Sequence, residues 1–378
     1  MRHLAYISLM LVIHAVLPAA SATHAQFLPG PDVSTTVAVA DLDADGILDI
    51  VSSAAGRKVD DVAIAFGAGD SAFETEQFFP AGELTVDLVI GDVNSDQRPD
   101  ILTANFGSDD VSVLENLGNR NFQLSSSWPV GDQPISLVLA DVNGDNLKDV
   151  ITANRGSRDV SVLLAQLNGQ FQPQRRFALD RTPTALIVAD LNGNGVPDIA
   201  VSSIGLFSGE VTILSGSGDG SFRLNRRLSA KDGPLSLVAA DLNADGATDL
   251  VTTNFFSSDV SIILSSGRGG FLSPQRYAVG DAPLSAVVAD LNADGLPDLV
   301  TANYLDGDLS VLLGRGRGAF QSQTRVDTDD GPVALTIADL NRDGALDLIT
   351  ANTNIISRSV SILLGNGDGT FQAEQRLR

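Results

Sequence analysis

Short apolar stretches rich in Val, Ile, Leu and Thr alternate along the chain with turns made of Gly, Asn and Asp, and the alternation itself repeats. One copy shows the order. Residues 235–240 are strand-like, an acidic loop runs from Asp241 to Asp249, and residues 250–254 are strand-like again. A variable stretch leads to residues 259–264, and after a glycine-rich turn Phe271 opens a last polar-apolar segment. Four β-prone segments separated by turn residues predict a four-stranded antiparallel sheet, with strands A to D in chain order. Acidic loops of the same pattern begin at Asp41, Asp92, Asp141, Asp190, Asp241, Asp290 and Asp339, at spacings of 51, 49, 49, 51, 49 and 49 residues. A period near fifty is that of propeller blades. Sheets this small cannot bury both faces alone, and radial stacking protects their edges. The pattern therefore predicts an all-β fold, a seven-bladed β-propeller of four-stranded antiparallel blades that forms one domain over residues 26–378.

Two recurring positions fit that ring. The residue before each acidic loop is small (Ala40, Gly91, Ala140, Ala189, Ala240, Ala289 and Ala338), as expected where strand A runs closest to the axis. One phenylalanine follows each glycine-rich turn, at Phe73, Phe122, Phe171, Phe222, Phe271, Phe320 and Phe371, and is expected to be core between blades. From loop start to phenylalanine the distance is 30 or 32 residues. The two extra residues fall in the B–C connection of the first, fourth and seventh units, on the face expected to lie opposite the A–B loops.

The acidic loops carry the chemistry. Alternate positions of a tight loop can converge their oxygens on one point, and calcium takes six to eight oxygens at about 2.3–2.6 Å. Positions 1, 3, 5 and 9 would offer side chains and position 7 a carbonyl. The first loop supplies Asp41, Asp43, Asp45 and Asp49 with Ile47, and the second Asp92, Asn94, Asp96 and Asp100 with Arg98. The third supplies Asp141, Asn143, Asp145 and Asp149 with Leu147, and the fourth Asp190, Asn192, Asn194 and Asp198 with Val196. The fifth supplies Asp241, Asn243, Asp245 and Asp249 with Ala247. The sixth supplies Asp290, Asn292, Asp294 and Asp298 with Leu296, and the seventh Asp339, Asn341, Asp343 and Asp347 with Ala345. Up to seven calcium ions are expected. Gly295 and its counterparts at position 6 suit a positive φ, whereas Gln97 in the second loop is expected to be strained and Asn146 in the third less so. The fourth loop, with two carboxylates, is expected to bind weakest. An EF-hand is excluded, because no flanking helix and no Glu at position 12 accompany the loops.

Composition narrows the rest. Arg2, the apolar run over residues 4–18 and the small residues before Gln26 predict a secretory signal over residues 1–25, cut after Ala22 or Ala25. All three histidines, His3, His14 and His24, lie in that segment, and the chain has no cysteine. A mature chain without imidazole or thiol has no Ser-His-Asp triad, no Cys nucleophile and no ordinary zinc site. A net charge of −23 argues against nucleic acid as a partner. Much of that acidity is expected to be metal-ligand inventory. The paired acids Asp109-Asp110 and Asp329-Asp330 are read as solvated turns.

Units such as Ala289-Asp-Leu-Asn-Ala-Asp-Gly-Leu-Pro-Asp-Leu299 and Leu363-Leu-Gly-Asn-Gly-Asp-Gly-Thr-Phe371 resemble the FG-GAP/VCBS repeat family, whose relatives include the N-terminal propellers of integrin α subunits. The resemblance covers residues 27–378. It implies calcium held in A–B hairpin loops on one face, where it stiffens blades, with ligands meeting the opposite face. The family's Phe-Gly to Gly-Ala-Pro signature survives only in fragments such as Gly280-Asp-Ala-Pro283, and no inserted adhesion domain is present, so receptor function does not transfer.

The expected function is a secreted or periplasmic, calcium-binding, non-catalytic scaffold for an extracellular protein or glycan, not inserted in a membrane once the signal is cut. Its contact surface would be the variable face, with Phe106, Arg155, Phe207, Phe255, Phe256, Tyr304 and Ile356 in B–C loops. Two alternatives are a lectin-like propeller, for which Trp128 and the tyrosines would be the platforms, and an enzyme such as a polysaccharide lyase or a calcium-assisted phosphoesterase.

Overall fold

A computed structural model describes residues 36–53, 61–205, 208–230, 233–328, 331–353 and 358–377. The expected signal segment lies outside these, as do Phe207, Ile356 and the Asp329-Asp330 pair. Among the described residues the structure is almost wholly β, and one 3-10 turn at Leu167–Gly169 is its helical content. Among the described residues no helix is long and apolar enough to cross a membrane.

Seven four-stranded antiparallel sheets, each in chain order A-B-C-D, form the blades. In blade 5 these are Pro234–Ala240, Asp249–Asn254, Asp259–Ile263 and Gln275–Ala278. The A strands are Val37–Ala40, Thr85–Gly91, Pro134–Ala140, Thr182–Ala189, Pro234–Ala240, Pro283–Ala289 and Pro332–Ala338. Each touches the A strand of the next blade, and the last touches the first, which closes the ring. Blade 1 and blade 7 each supply all four of their own strands, so closure is by packing without strand exchange. The small residues ending strand A are required by this crowding: a β-carbon on Gly91 would lie 2.9 Å from Leu139 Cδ1 of the next blade.

The core is seven clusters, one between each pair of neighbouring blades. In blade 5 strands B and C are buried along their whole length, polar residues such as Thr252, Asn254 and Ser261 included. Every recurring phenylalanine sits in one of these clusters, as the sequence predicts. Four of them meet an aromatic ring from strand D of the preceding blade edge-on: Phe79 with Phe122, Trp128 with Phe171, Phe177 with Phe222, and Tyr277 with Phe320, at centroid distances of 5.4–5.7 Å. At the other three joints Leu228, Val326 and Leu377 share a cluster with Phe271, Phe371 and Phe73. Trp128 and Tyr277, two of the few aromatics a lectin reading could draw on, are therefore packing residues between blades.

Candidate metal centres

The A–B loops and the C–D hairpins share one face, and the loops are built by their own side chains. In all seven the position-1 aspartate accepts the backbone N–H of position 6 at 2.7–2.9 Å. The position-5 side chain accepts the N–H of position 7 at 2.7–2.9 Å, also in all seven. Positions 4 and 6 take positive φ. Ala44, Ser95, Ala244, Ala293 and Arg342 do so at position 4 with values of 57–65°, which the sequence reading missed because no glycine marks them there. Gln97 and Asn146 adopt φ of 68° and 67° at position 6, the conformation expected to strain Gln97.

Position 2 is a buried Leu or Val that roots each loop in the core. Position 9 is equally buried. Asp49, Asp100, Asp149, Asp249, Asp298 and Asp347 show no exposure and Asp198 only 1%. One oxygen of each accepts the position-2 N–H at 2.8–3.2 Å. The other accepts an N–H from the last residue of strand C or from the chain just after it, at 2.6–3.0 Å. Position 9 thus ties the A–B loop to the C–D hairpin of its own blade, a role invisible in the loop motif because that partner lies 16–18 residues away. Burial pushes the carboxyls of Asp49, Asp100 and Asp149 up to about 6. At position 1 burial acts against Asp141 and Asp190, but four backbone amides on each carry the net shift below the ordinary value.

The seven loops differ in what remains open. In the first, carboxylate oxygens of Asp41, Asp43 and Asp49 lie within 4.8 Å of one another. Asp41 Oδ1 is buried there without a partner. An orphaned carboxylate oxygen beside two others, in a set made only of oxygens, fits a hard divalent cation. In the second, Arg98 donates to Asp96 Oδ2 at 2.5 Å and to the Asn116 carbonyl at 2.6 Å. In the fourth, Asn192 donates to Asp198 Oδ2 at 2.6 Å. In the third, sixth and seventh loops the position-3 amides of Asn143, Asn292 and Asn341 donate to the position-5 aspartate at 2.8–3.1 Å.

On the opposite face the residue after strand B donates its N–H to the D–A connection: Phe106 to Leu84, Arg155 to Gln133, Phe255 to Gly233 and Tyr304 to Ala282. Those side chains are half-buried, and burial pushes the Arg155 guanidinium down to about 10 and the Tyr304 phenol upward. Phe256 is 48% exposed and meets Phe255 edge-on at 5.1 Å.

A repeated network at the end of strand B also escaped the sequence reading. Asn105, Asn154, Asn254 and Asn303 each donate to an aspartate and a serine of strand C, and each accepts from a threonine two residues earlier except that at Asn105 Thr85 donates as well. Asp110, expected in a solvated turn, belongs to it; its oxygen takes the Asn105 amide at 2.7 Å. Asp109 is the exposed partner that accepts the Gln133 N–H. Blade 4 lacks the asparagine, and there Glu210 pairs with Arg181 at 2.9 Å and Arg227 at 3.7 Å.

The chain is similar in fold to several solved structures. BBS1N in complex with ARL6DN matches with a TM-score of 0.61 at 12% identity, over 85% of this chain and 90% of that one. A lectin of Agrocybe aegerita that recognises non-reducing terminal N-acetylglucosamine matches with a TM-score of 0.58 at 22% identity, over 90% and 93%. A protein of unknown function from Desulfotomaculum acetoxidans DSM 771 matches with a TM-score of 0.59 at 10% identity, over 83% and 91%. No curated protein matches at a significant level. The FG-GAP-like repeat model matches residues 41–103, 92–152, 141–201, 241–301 and 290–350, each match running from one acidic loop into strand B of the next blade, and the chain therefore belongs to the FG-GAP-like repeat family.

Proposed function

We propose that this protein is a calcium-stabilised scaffold, secreted or periplasmic, that presents the face opposite its metal loops to an extracellular protein and performs no catalysis of its own. The observation that carries the metal reading is the first loop, where three carboxylates approach within 4.8 Å and Asp41 Oδ1 has no partner. Every loop shares its hydrogen-bonded frame, so the same reading extends to up to seven ions. Loop 2, with Arg98 on Asp96, and loop 4, with two carboxylates, are the weakest members. Affinities of extracellular calcium modules run to about 10⁻⁴–10⁻³ M, so such sites fill outside a cell and stay empty inside.

A protein partner is favoured over a glycan because Trp128 and Tyr277 stack between blades, whereas Phe256 and Leu305 are 48% and 44% exposed on the variable face. Calcium titration by calorimetry, run beside thermal melts with and without chelator, tests the metal reading: several binding events and a higher melting temperature in calcium are expected. Absence of binding at millimolar calcium, with unchanged melts, refutes it. A pull-down from the native environment, repeated with Phe256 and Leu305 both changed to Ser, tests the face. A glycan array run with and without chelator would reveal the lectin alternative.

A further inference from the structure

The joint between blades 1 and 2 is built unlike the others. In blades 3 to 7 the residue two before the recurring phenylalanine is a glycine: Gly169, Gly220, Gly269, Gly318 and Gly369. At Gly220, Gly318 and Gly369 a β-carbon would come within 2.6–2.8 Å of Leu164, Leu264 or Leu313 of the preceding blade, so a side chain there would require that leucine to move. Blade 2 carries Arg120 at this place, and blade 1 offers it the flat ring of Phe66 where those joints have leucine. The guanidinium carbon lies 4.8 Å from the ring centroid. From there Arg120 reaches into the metal loop of blade 1: Nε donates to Asp43 Oδ2 at 2.5 Å, Nη2 lies 3.6 Å from Asp45, and Nη1 donates to Glu74 at 2.8 Å.

Its principal partner in the loop, Asp43, is also particular to this unit. Position 3 is aspartate in the first loop and asparagine in the other six. The one loop with an extra carboxylate is the one that receives a guanidinium from the next blade. Arg120 shares its charge between that loop and Glu74, so it offsets part of the negative charge of the four loop carboxylates. The Asp43 side chain is only 7% exposed, so the pair is shielded from salt more than a surface ion pair would be.

We propose, on the calcium reading above, that Arg120 is a tethered counter-ion for the first loop. It holds that loop and the blade 1–blade 2 joint in register before any metal enters, and it lowers the loop's calcium affinity below what four carboxylates alone would give. Asp43 can give one oxygen to a metal while the other keeps its guanidinium, so Arg120 is a positioning residue rather than a ligand.

The test compares the purified protein with Arg120→Gln and with the double variant Asp43→Asn, Arg120→Gly, which rebuilds the asparagine-glycine pairing of the five joints from blade 2 to blade 7. In chelator, Arg120→Gln melts lower than the wild type. In calorimetry one of its sites binds calcium more tightly, by roughly tenfold for one removed positive charge beside the ion. In saturating calcium its melting temperature rejoins the wild type, and the double variant returns both readings close to wild type. A merely structural ion pair would lose stability and calcium affinity together, and that outcome, or an unchanged isotherm, overturns the proposal. If the wild type itself takes up no calcium, the metal reading falls and this proposal with it. If the wild type binds and Arg120→Gln binds identically, only the role of Arg120 falls.

Discussion

Asn254, the last residue of strand B in blade 5, donates its side-chain amide to Asp259, the first residue of strand C, over 2.7 Å. The same amide reaches Ser261 at 2.9 Å, and its carbonyl oxygen accepts from Thr252 at 3.2 Å. Asp259 in turn pairs with Arg276 of strand D. One asparagine therefore links strands B, C and D where the blade turns toward its variable face.

Because Asn254 is fully buried, Asn254→Ala strands the partners without water to replace the amide. We expect a loss of about 2–4 kcal/mol, since unpaired buried polar groups cost about 1–3 kcal/mol each. Denaturant unfolding checks it. A loss below 1 kcal/mol would mean that the network is ornamental, taking ~1 kcal/mol as the net worth of a single ordinary hydrogen bond.

The ring pairs predict coupling between neighbouring blades. Phe320 is 5% exposed and meets Tyr277 at 5.5 Å with planes 82° apart. Phe320→Ala is expected to cost about 3–5 kcal/mol, as for other buried phenylalanines. A double-mutant cycle with Tyr277→Leu should return a coupling of about 0.5–1.5 kcal/mol. Strict additivity would show that the two rings fill space independently.

Asp87 predicts a pH dependence. It lies in strand A of blade 2, accepts the N–H groups of Leu137 and Leu88 at 2.8 and 2.9 Å and the Thr36 hydroxyl at 3.3 Å, and burial pushes its carboxyl up to about 6. Between the ordinary value of 3.8 and about 6 the folded protein holds a proton that the unfolded chain releases, so stability falls as pH rises through that window. Asp49, Asp100 and Asp149 shift the same way, and the slope is shared among them. Asp87→Asn should remove on the order of 2 kcal/mol of the decline, measured in chelator as the difference between pH 4 and pH 7. An identical pH profile in the variant would refute the assignment.

The number of blades, the order of their strands and the seven loops were legible in the amino-acid sequence, because each is encoded within a single repeat by the spacing of apolar, acidic and turn residues. So was the positive φ at Gly295, where glycine advertises the conformation. What only the tertiary structure decided lies between segments far apart in the chain. Asp249 carries the same letter as Asp245, yet both its oxygens are engaged by backbone amides, one of them at Ser265 across the blade. Arg120 and Asp43 stand 77 residues apart, and nothing in either local pattern announces that they meet. Trp128 could have been a platform for a ligand until the ring placed Phe171 against it. A repeat motif records hydrogen bonds and burial that close within a few residues. Contacts across blades are chosen by packing once the ring has closed, and they decide which of the many oxygens remain available to a metal.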